Sequence, residues 1–333
     1  MAGNDWGRRD IMRIAIIGAG GVGGYFGARL AAAGDEVTFV ARGRHLAAIR
    51  ERGLTVRSPL GDLRVPSEAV VPAVSDLEAP DLVMVAVKLW DTEDVARQLV
   101  PLAEGGAAVV SFQNGVQKDT ELRRHLPAES VLGGVGYISA FIEEPGVVVH
   151  NGTLQRLVFG EYDRKESPRA RHFLDRCLAA GVDAEISGDI ERTIWEKFVF
   201  LVGLSGTTSA VRQPIGVVRG NPGSRELLGD VMREVVAVGR AKGVHLDPGF
   251  ADDRLAFCDT LPATMTSSMH NDLLRGNRLE LSWLSGAVAE LGAELGVATP
   301  RNRTIADILA PYALGDPATT GGADVSAAGG ASR

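Results

Sequence analysis

Glycines at Gly18, Gly20 and Gly23 form a G-x-G-x-x-G, a spacing that lets a backbone turn cradle a pyrophosphate. The run before it, Ile14-Ala15-Ile16-Ile17, is β-branched and strand-like. Val22 to Ala33 reads as a helix of small and apolar residues that stops at Gly34, and Val37 to Val40 as a second buried strand. Within Gly18-Ala19-Gly20-Gly21-Val22-Gly23, Gly18 permits the tight turn, Gly20 lets the backbone approach the phosphates, and Gly23 lets the helix pack closely on the strand. The phosphates would rest on free N–H groups at the positive end of that helix. The residue type at the end of the second strand selects the dinucleotide. An NAD site places a carboxylate there to bond the ribose hydroxyl, and an NADP site places an arginine nearby. This chain has Arg42 and no carboxylate at that tip, which points to NADP(H), with the guanidinium pairing bidentately with a 2′-phosphate. Arg44 either assists it or is a solvated surface cation.

Two further polar residues stand where ligands bind in doubly wound sheets, outside the carboxyl ends of strands. Lys88 follows the apolar run Asp81 to Val87, and Asn114 follows Ala107 to Phe112 within Gln113-Asn114-Gly115. Each is at the right edge to touch a cofactor and substrate; the plainer alternatives are a solvated lysine and an Asn-Gly turn. Lys197 sits beside an apolar helical stripe of Ile190, Ile194, Trp195, Phe198 and Leu201. If that stripe faces a cleft between domains, burial would lower the lysine pKa and suit it to proton transfer. Otherwise it is one more solvated helix charge.

The elements that must position these residues follow from the pattern. A short helix is expected at His45 to Arg52, and a hairpin at Leu54 to Val56 and Leu63 to Val65 around Pro59-Leu60-Gly61-Asp62. A helix is expected from about Asp91 to Leu102. Strands are expected at Val131 to Ile142, Gly146 to His150 and Leu157 to Gly160, then a helix from Pro168 to Ala180. After Gly188 the strand signal ends, and helices are expected at about 189–209, 223–243, 249–259, 278–296 and 302–313. The shift divides an α/β domain, 12–188, from an all-α domain, 189–316; residues 1–11 and 317–333 are expected to lack structure. A net charge of −7 argues against nucleic acid and a basic membrane-binding surface. No apolar run reaches the roughly 18 residues a membrane span requires, and residues 1–10 carry no signal-peptide core, so a cytoplasmic protein is expected. Cys177 and Cys258 lack ligand spacing and read as core thiols. The six histidines show no H-x-x-x-H or carboxylate cluster, so no catalytic metal is expected.

Taken together, Gly18-Ala19-Gly20-Gly21-Val22-Gly23, Val87-Lys88, Gln113-Asn114-Gly115, Trp195-Glu196-Lys197, Ser267-Ser268-Met269 and Glu280 make the chain similar to the ketopantoate reductases (2-dehydropantoate 2-reductases). The resemblance runs from about Arg13 to Tyr312. It implies a Rossmann-type N-terminal domain followed by an all-α C-terminal domain for substrate binding and dimerisation. It also implies reduction of the 2-oxo group of ketopantoate by NADPH, giving pantoate for pantothenate and coenzyme A synthesis. By the same resemblance Lys197 donates a proton to the carbonyl oxygen as hydride arrives. Asn114 contacts the nicotinamide end and the substrate, Lys88 lies against the cofactor, and Ala140 makes a backbone contact to it. Ser268 binds the substrate carboxylate, and Glu280 bonds the cofactor or the substrate hydroxyl near Lys197. Family members often form dimers, so a homodimer is an expectation too.

The departures bear on substrate. Better-known members place asparagines one and two helical turns beyond the lysine and again later; here those positions are Leu201, Ser205 and Ile215, and three residues before Ser268 stands Met265. A pocket built to hydrogen-bond a hydroxyl discriminates strongly for it, and an apolar pocket does not. Another 2-oxo acid, carbonyl or imine is therefore a second reading. A β-hydroxyacid dehydrogenase of the hydroxyisobutyrate type and a non-catalytic NADPH-binding protein are rivals. His270 and Asp272, beside Ser268, either tune the site or are a surface histidine and a helix N-terminal charge. Trp283 and Leu284 are assigned to the helical core or a subunit contact.

Overall fold

The computed structural model describes residues 10–316. The expectation that 1–11 and 317–333 lack structure falls outside the described residues, save for Asp10 and Ile11, an exposed bend. The described chain divides into two compact units, one up to Ile194 and one from Trp195 onward.

The first unit runs β1 (Arg13–Ile17), α1 (Gly21–Ala32), β2 (Glu36–Val40), α2 (Gly43–Arg52), β3 (Leu54–Arg57), β4 (Leu63–Val65) and β5 (Val70–Val71). It continues with β6 (Leu82–Val85), α3 (Thr92–Glu104), β7 (Ala108–Ser111), α4 (Lys118–His125), β8 (Val131–Glu144), β9 (Val147–Gly160), α5 (Pro168–Ala179) and β10 (Asp183–Ile186). The strands form one sheet in the order β4-β3-β9-β8-β7-β6-β1-β2-β5, with β10 on β9. From β8 to β5 every pairing is parallel. The winding reverses between β1 and β6, and that reversal opens the crevice in which doubly wound sheets bind ligands. Alternation along the central strands separates two apolar faces. Ile14, Ile16, Leu82, Met84 and Val110 pack on one side; Ala15, Ile17, Val83, Val85 and Val109 pack on the other.

Several boundaries differ from the pattern's forecast. Gly146 to His150 and Leu157 to Gly160 are not separate strands: β9 is continuous and pairs along the 14-residue β8, with register shifts near Ile138 and Ile142. The exposed stretch 151–154 falls at the register shift, between the pairs Ile138–Gln155 and Ala140–His150, and this interruption divides the sequence pattern in two. β10 and α4 carried no clear pattern and were not foreseen.

In the second unit α6 (Ile190–Val211) is followed by α7 (Ile215–Gly220), α8 (Pro222–Ala241), α9 (Phe250–Thr260), α10 (Ser268–Leu274), α11 (Ser285–Leu295) and α12 (Pro300–Leu309). The short α7 and α10 were not foreseen. Asn221 caps α8, accepting from the N–H groups of Gly223 and Ser224, with Pro222 opening the helix. A helix from residue 278 does not form. The Leu279 N–H donates to Ala313 O at 2.9 Å, so Glu280 lies outside α11, ahead of a 3-10 turn at Leu281–Trp283. By packing, the two units part within α6: Ile190 and Ile194 pack with Val135 and Val158 in the first unit, while Trp195 begins the second.

In the helical core the Trp195 ring presses on α8. A β-carbon on Gly239 would stand 2.7 Å from its ring and 2.8 Å from Leu246 Cδ1. Alanine is the better helix former by about 1 kcal/mol, yet overpacking costs about 1–3 kcal/mol. Gly239→Ala should therefore destabilise the protein, lowering its urea unfolding midpoint; a raised midpoint would show the contact to be slack.

Candidate active site

The glycine turn is built by exclusion of side chains. Gly18 has φ +105°, and a β-carbon there would lie 3.0 Å from the Ala86 carbonyl and from Val87 Cγ1. One on Gly23 would meet Gly18 O at 2.1 Å; one on Gly21 would meet Ala140 O at 2.2 Å. At Gly20, the N-cap of α1, it would meet nothing within 4 Å. The turn is thus closed by backbone around Gly18, Gly21 and Gly23 and open at Gly20. Helix α1 has no side-chain cap and no acidic residue in its first turn, so the partial positive charge of its end is not neutralised there. These features fit an anionic pyrophosphate.

Around this turn, Gly18 N–H donates to Val40 O at 3.0 Å and Ala86 N–H to Ile17 O at 2.9 Å, tying the ends of β1, β2 and β6 together. Val22 follows in the first turn of α1 and packs against the core. The Ala140 carbonyl, on β8, is the group against which Gly21 closes. His45, which the residue pattern did not single out, braces the same turn. Its Nδ1 accepts from Gly146 N–H at 3.0 Å and its Nε2 lies 2.8 Å from Ala19 O. Since Gly146 is a donor and Ala19 an acceptor, the ring is held neutral with its proton on Nε2.

Arg42 is the N-cap residue of α2; its side chain is three-quarters exposed and pairs with Asp91. Arg44 is exposed. Lys88 is half-buried, its ammonium 5.7 Å from the centroid of the Trp90 ring, and Asn114 is half-buried in the turn after β7. Both leave the carboxyl ends of adjacent parallel strands, β6 and β7, with β1 beside β6.

In the helical unit, Lys197 is half-buried on α6 between Trp195 and Phe198, both fully buried. Leu201 is half-buried one turn on, and Ser205 is buried with no hydrogen-bond partner for its Oγ among the described residues. Ile215 N–H donates to Met265 O at 2.9 Å, which brings these two apolar positions side by side. Ser268 is exposed at the first position of α10, while its neighbour Ser267 is buried as the helix cap, accepting from His270 N–H at 3.0 Å. Glu280 is buried. His270 is not a surface histidine: it is buried, with Nδ1 2.8 Å from Thr208 O. Asp272 lies within α10 rather than at its start and accepts from Asn277 Nδ2 at 3.1 Å. Leu284 is buried and Trp283 half-buried.

Among the described residues, one metal-capable group is marked by no sequence pattern. Glu93, Glu121 and His125 each offer a ligand atom within 4.8 Å of the others. Glu121 and His125 stand four apart on α4, while Glu93 comes from α3 through the fold. Both carboxylates already pair with arginines, Glu93 with Arg97 and Glu121 with Arg124.

Comparison with known proteins covers both units. A family model described as ketopantoate reductase PanE/ApbA matches residues 14–164, and one for the C-terminal part of the same family matches 189–313. The chain is similar to a 2-dehydropantoate 2-reductase of Archaeoglobus fulgidus, 34% identical over 299 residues, 90% of this chain and 97% of that protein. It is similar to an uncharacterized oxidoreductase, YkpB, of Bacillus subtilis, 28% identical over 294 residues, 88% of this chain and 96% of that one. A crystal structure of a PanE/ApbA family ketopantoate reductase from Ralstonia eutropha superposes with a TM-score of 0.83 at 32% identity, covering 91% of this chain and 98% of the other.

Burial holds the His45 pKa below its ordinary value, outweighing the upward pull of the Ala19 bond. The unfolded ring takes up its proton near pH 6.5, so the stability His45 contributes is full above about 6.5 and falls as pH drops from there towards the lower folded pKa. Thermal midpoints across this window should decline with acid in the wild type. The decline should be shallower in His45→Phe, which has no ring proton to gain; parallel curves would remove the role assigned to the neutral ring.

Proposed function

We propose that this chain, which belongs to the ketopantoate reductase family, reduces the 2-oxo group of 2-dehydropantoate with NADPH to give pantoate. It is an oxidoreductase of that family, acting on a CH–OH group. The observation that carries the cofactor half of the reading is the glycine turn at the β1/β6 reversal, closed by backbone at Gly18, Gly21 and Gly23 and open at Gly20. Gly18, Ala19, Gly20, Gly21, Val22 and Gly23 would hold the pyrophosphate, Arg42 the 2′-phosphate, and Lys88, Asn114 and the Ala140 backbone the rest of the dinucleotide.

When bound, the reduced nicotinamide supplies the hydride. The chain's own residues then have to manage charge on the substrate oxygen. The Lys197 Nζ ammonium stabilises that oxygen and gives it a proton, the combination that general acid catalysis of ketone reduction requires. Its place in the middle of a helix wall, between two buried aromatic residues, holds it on a rigid element. Asn114 orients the substrate, Ser268 Oγ donates to its carboxylate, and Glu280 bonds the cofactor or the substrate hydroxyl. A cytoplasmic location belongs to the same proposal; both cysteines are free, buried thiols, which suits a reducing compartment.

A second reading, a different 2-oxo acid, carbonyl or imine, is favoured by one feature. Leu201, Ile215 and Met265 offer apolar side chains, and Ile215 and Met265 are hydrogen-bonded neighbours. Apolar residues at positions where the resemblance implies asparagines give a substrate hydroxyl no partner.

Spectrophotometric NADPH oxidation with a panel of 2-oxo acids tests both readings. Ketopantoate should give the highest kcat/KM under the first; an acid with an apolar side chain surpassing it would establish the second. Lys197→Ala should lower kcat by about 10²–10⁴-fold with NADPH affinity kept, and full activity in that variant would end its role as proton donor. Arg42→Ala should raise the KM for NADPH about tenfold or more while leaving that for NADH nearly unchanged; equal effects on both would refute a 2′-phosphate contact.

A further inference from the structure

Gln113 follows β7, precedes Asn114, and is buried, yet the chemistry above gives it no task. Its side-chain amide is fully used. Oε1 accepts from Ser111 Oγ at 2.9 Å, and Nε2 donates to Val87 O at 2.9 Å and to Thr92 Oγ1 at 2.8 Å. A carbonyl can only accept, so the contact with Val87 fixes which end of the amide is nitrogen. Thr92 Oγ1, having accepted that bond, donates to Leu89 O at 2.8 Å, and Gln113's own N–H donates to Ser111 Oγ at 3.3 Å. Each polar hydrogen along this path has one assigned acceptor.

Val87 and Leu89 are the residues on either side of Lys88. One carbonyl is held by Gln113 directly and the other through Thr92, so the side chain next to Asn114 grips the backbone that carries Lys88 from both flanks. The β6–β7 pairing stops at Val85 and Ser111, and beyond Phe112 N–H to Val85 O these bonds continue the tie between the two strand ends. Lys118 secures the other flank, its ammonium donating to Ser111 O at 2.9 Å and to Asp119 at 2.8 Å.

We propose that Gln113 is a positioning residue that fixes the spacing between the side chains of Lys88 and Asn114, so that both meet one bound nicotinamide dinucleotide in register. The proposal rests on the reading of those two residues as cofactor contacts. Buried hydrogen-bond networks of this kind specify one arrangement when complete and lose it when a donor is removed.

The test is a double-mutant cycle read by fluorescence titration of NADPH, with a thermal midpoint taken for every variant. Gln113→Met keeps the length of the side chain and removes its three bonds; Lys88→Ala removes the side chain it positions. Gln113→Met should raise the Kd about tenfold in the intact background and by less than about twofold in Lys88→Ala. Equal factors in the two backgrounds, or no change in the first, would overturn the proposal. Gln113→Glu supplies an independent arm. Its carboxylate cannot donate to Val87 O or Thr92 Oγ1, but on protonation it regains one donor. Its deficit relative to wild type should therefore shrink as pH falls, whereas that of Gln113→Met stays constant; a Gln113→Glu deficit of constant size also overturns the proposal. A wild-type chain that binds no dinucleotide sinks the reading of the site itself, and an additive cycle in a chain that does bind sinks this inference alone.

Discussion

Steric exclusion at the end of β1 is the constraint on which the dinucleotide unit depends. Four elements converge there, and the distances leave no room for a methyl group: 2.1 Å from Gly23 to Gly18 O, 2.2 Å from Gly21 to Ala140 O, and 3.0 Å from Gly18 to Ala86. The opposing atoms at Gly21 and Gly23 are backbone oxygens, so no rotamer change could relieve the contact. Close packing on these sides draws the N-terminus of α1 against β8 and the β6 exit, and leaves the Gly20 side open. The same packing that builds the fold thereby presents unneutralised helix-end N–H groups to a ligand.

Neutral hydrogen bonds complete what sterics begin. His45 links Ala19 to Gly146, so the turn after β1 and the β8–β9 hairpin hold each other. Gln113 and Thr92 do the same for the exits of β6 and β7. Each such bond contributes little net stability in water, but a buried group left unpaired costs about 1–3 kcal/mol, so the networks select one loop arrangement over its neighbours.

The helical unit uses small residues to a different end. Gly203 and Gly239 admit Met232 and the Trp195 ring, and α6 and α8 pack closely as a result. Along α6 the polar residues divide in behaviour. Thr207 and Thr208 return their hydroxyls to the carbonyls of Gly203 and Leu204, four residues back, while Ser205 and Ser209 are buried without such a bond. Lys197 rides on this same helix, its position set by the aromatic residues that anchor the helix wall.

The glycine motif, the βαβ order and the change from strands to helices after residue 188 were legible in the sequence, because each rests on local chemistry: a positive φ, or a period of two or 3.6. Glu280 and Ser268 could be named by resemblance, yet their surroundings could not be read. Glu280 lies outside a helix because Leu279 bonds to Ala313, a partner 34 positions away. Likewise the two ends of β9 pair with one long β8 across a register shift that the sequence does not mark, and Glu93 joins Glu121 and His125 only where α3 meets α4. The amino-acid sequence by itself determined which residues can do chemistry and the local turns and helices that carry them. Tertiary structure alone decided which residues brace them: His45 reaches the Ala19 carbonyl and the Gly146 N–H, and Gln113 reaches the Val87 carbonyl and the Thr92 hydroxyl, partners that meet only in the fold and that no sequence pattern marks.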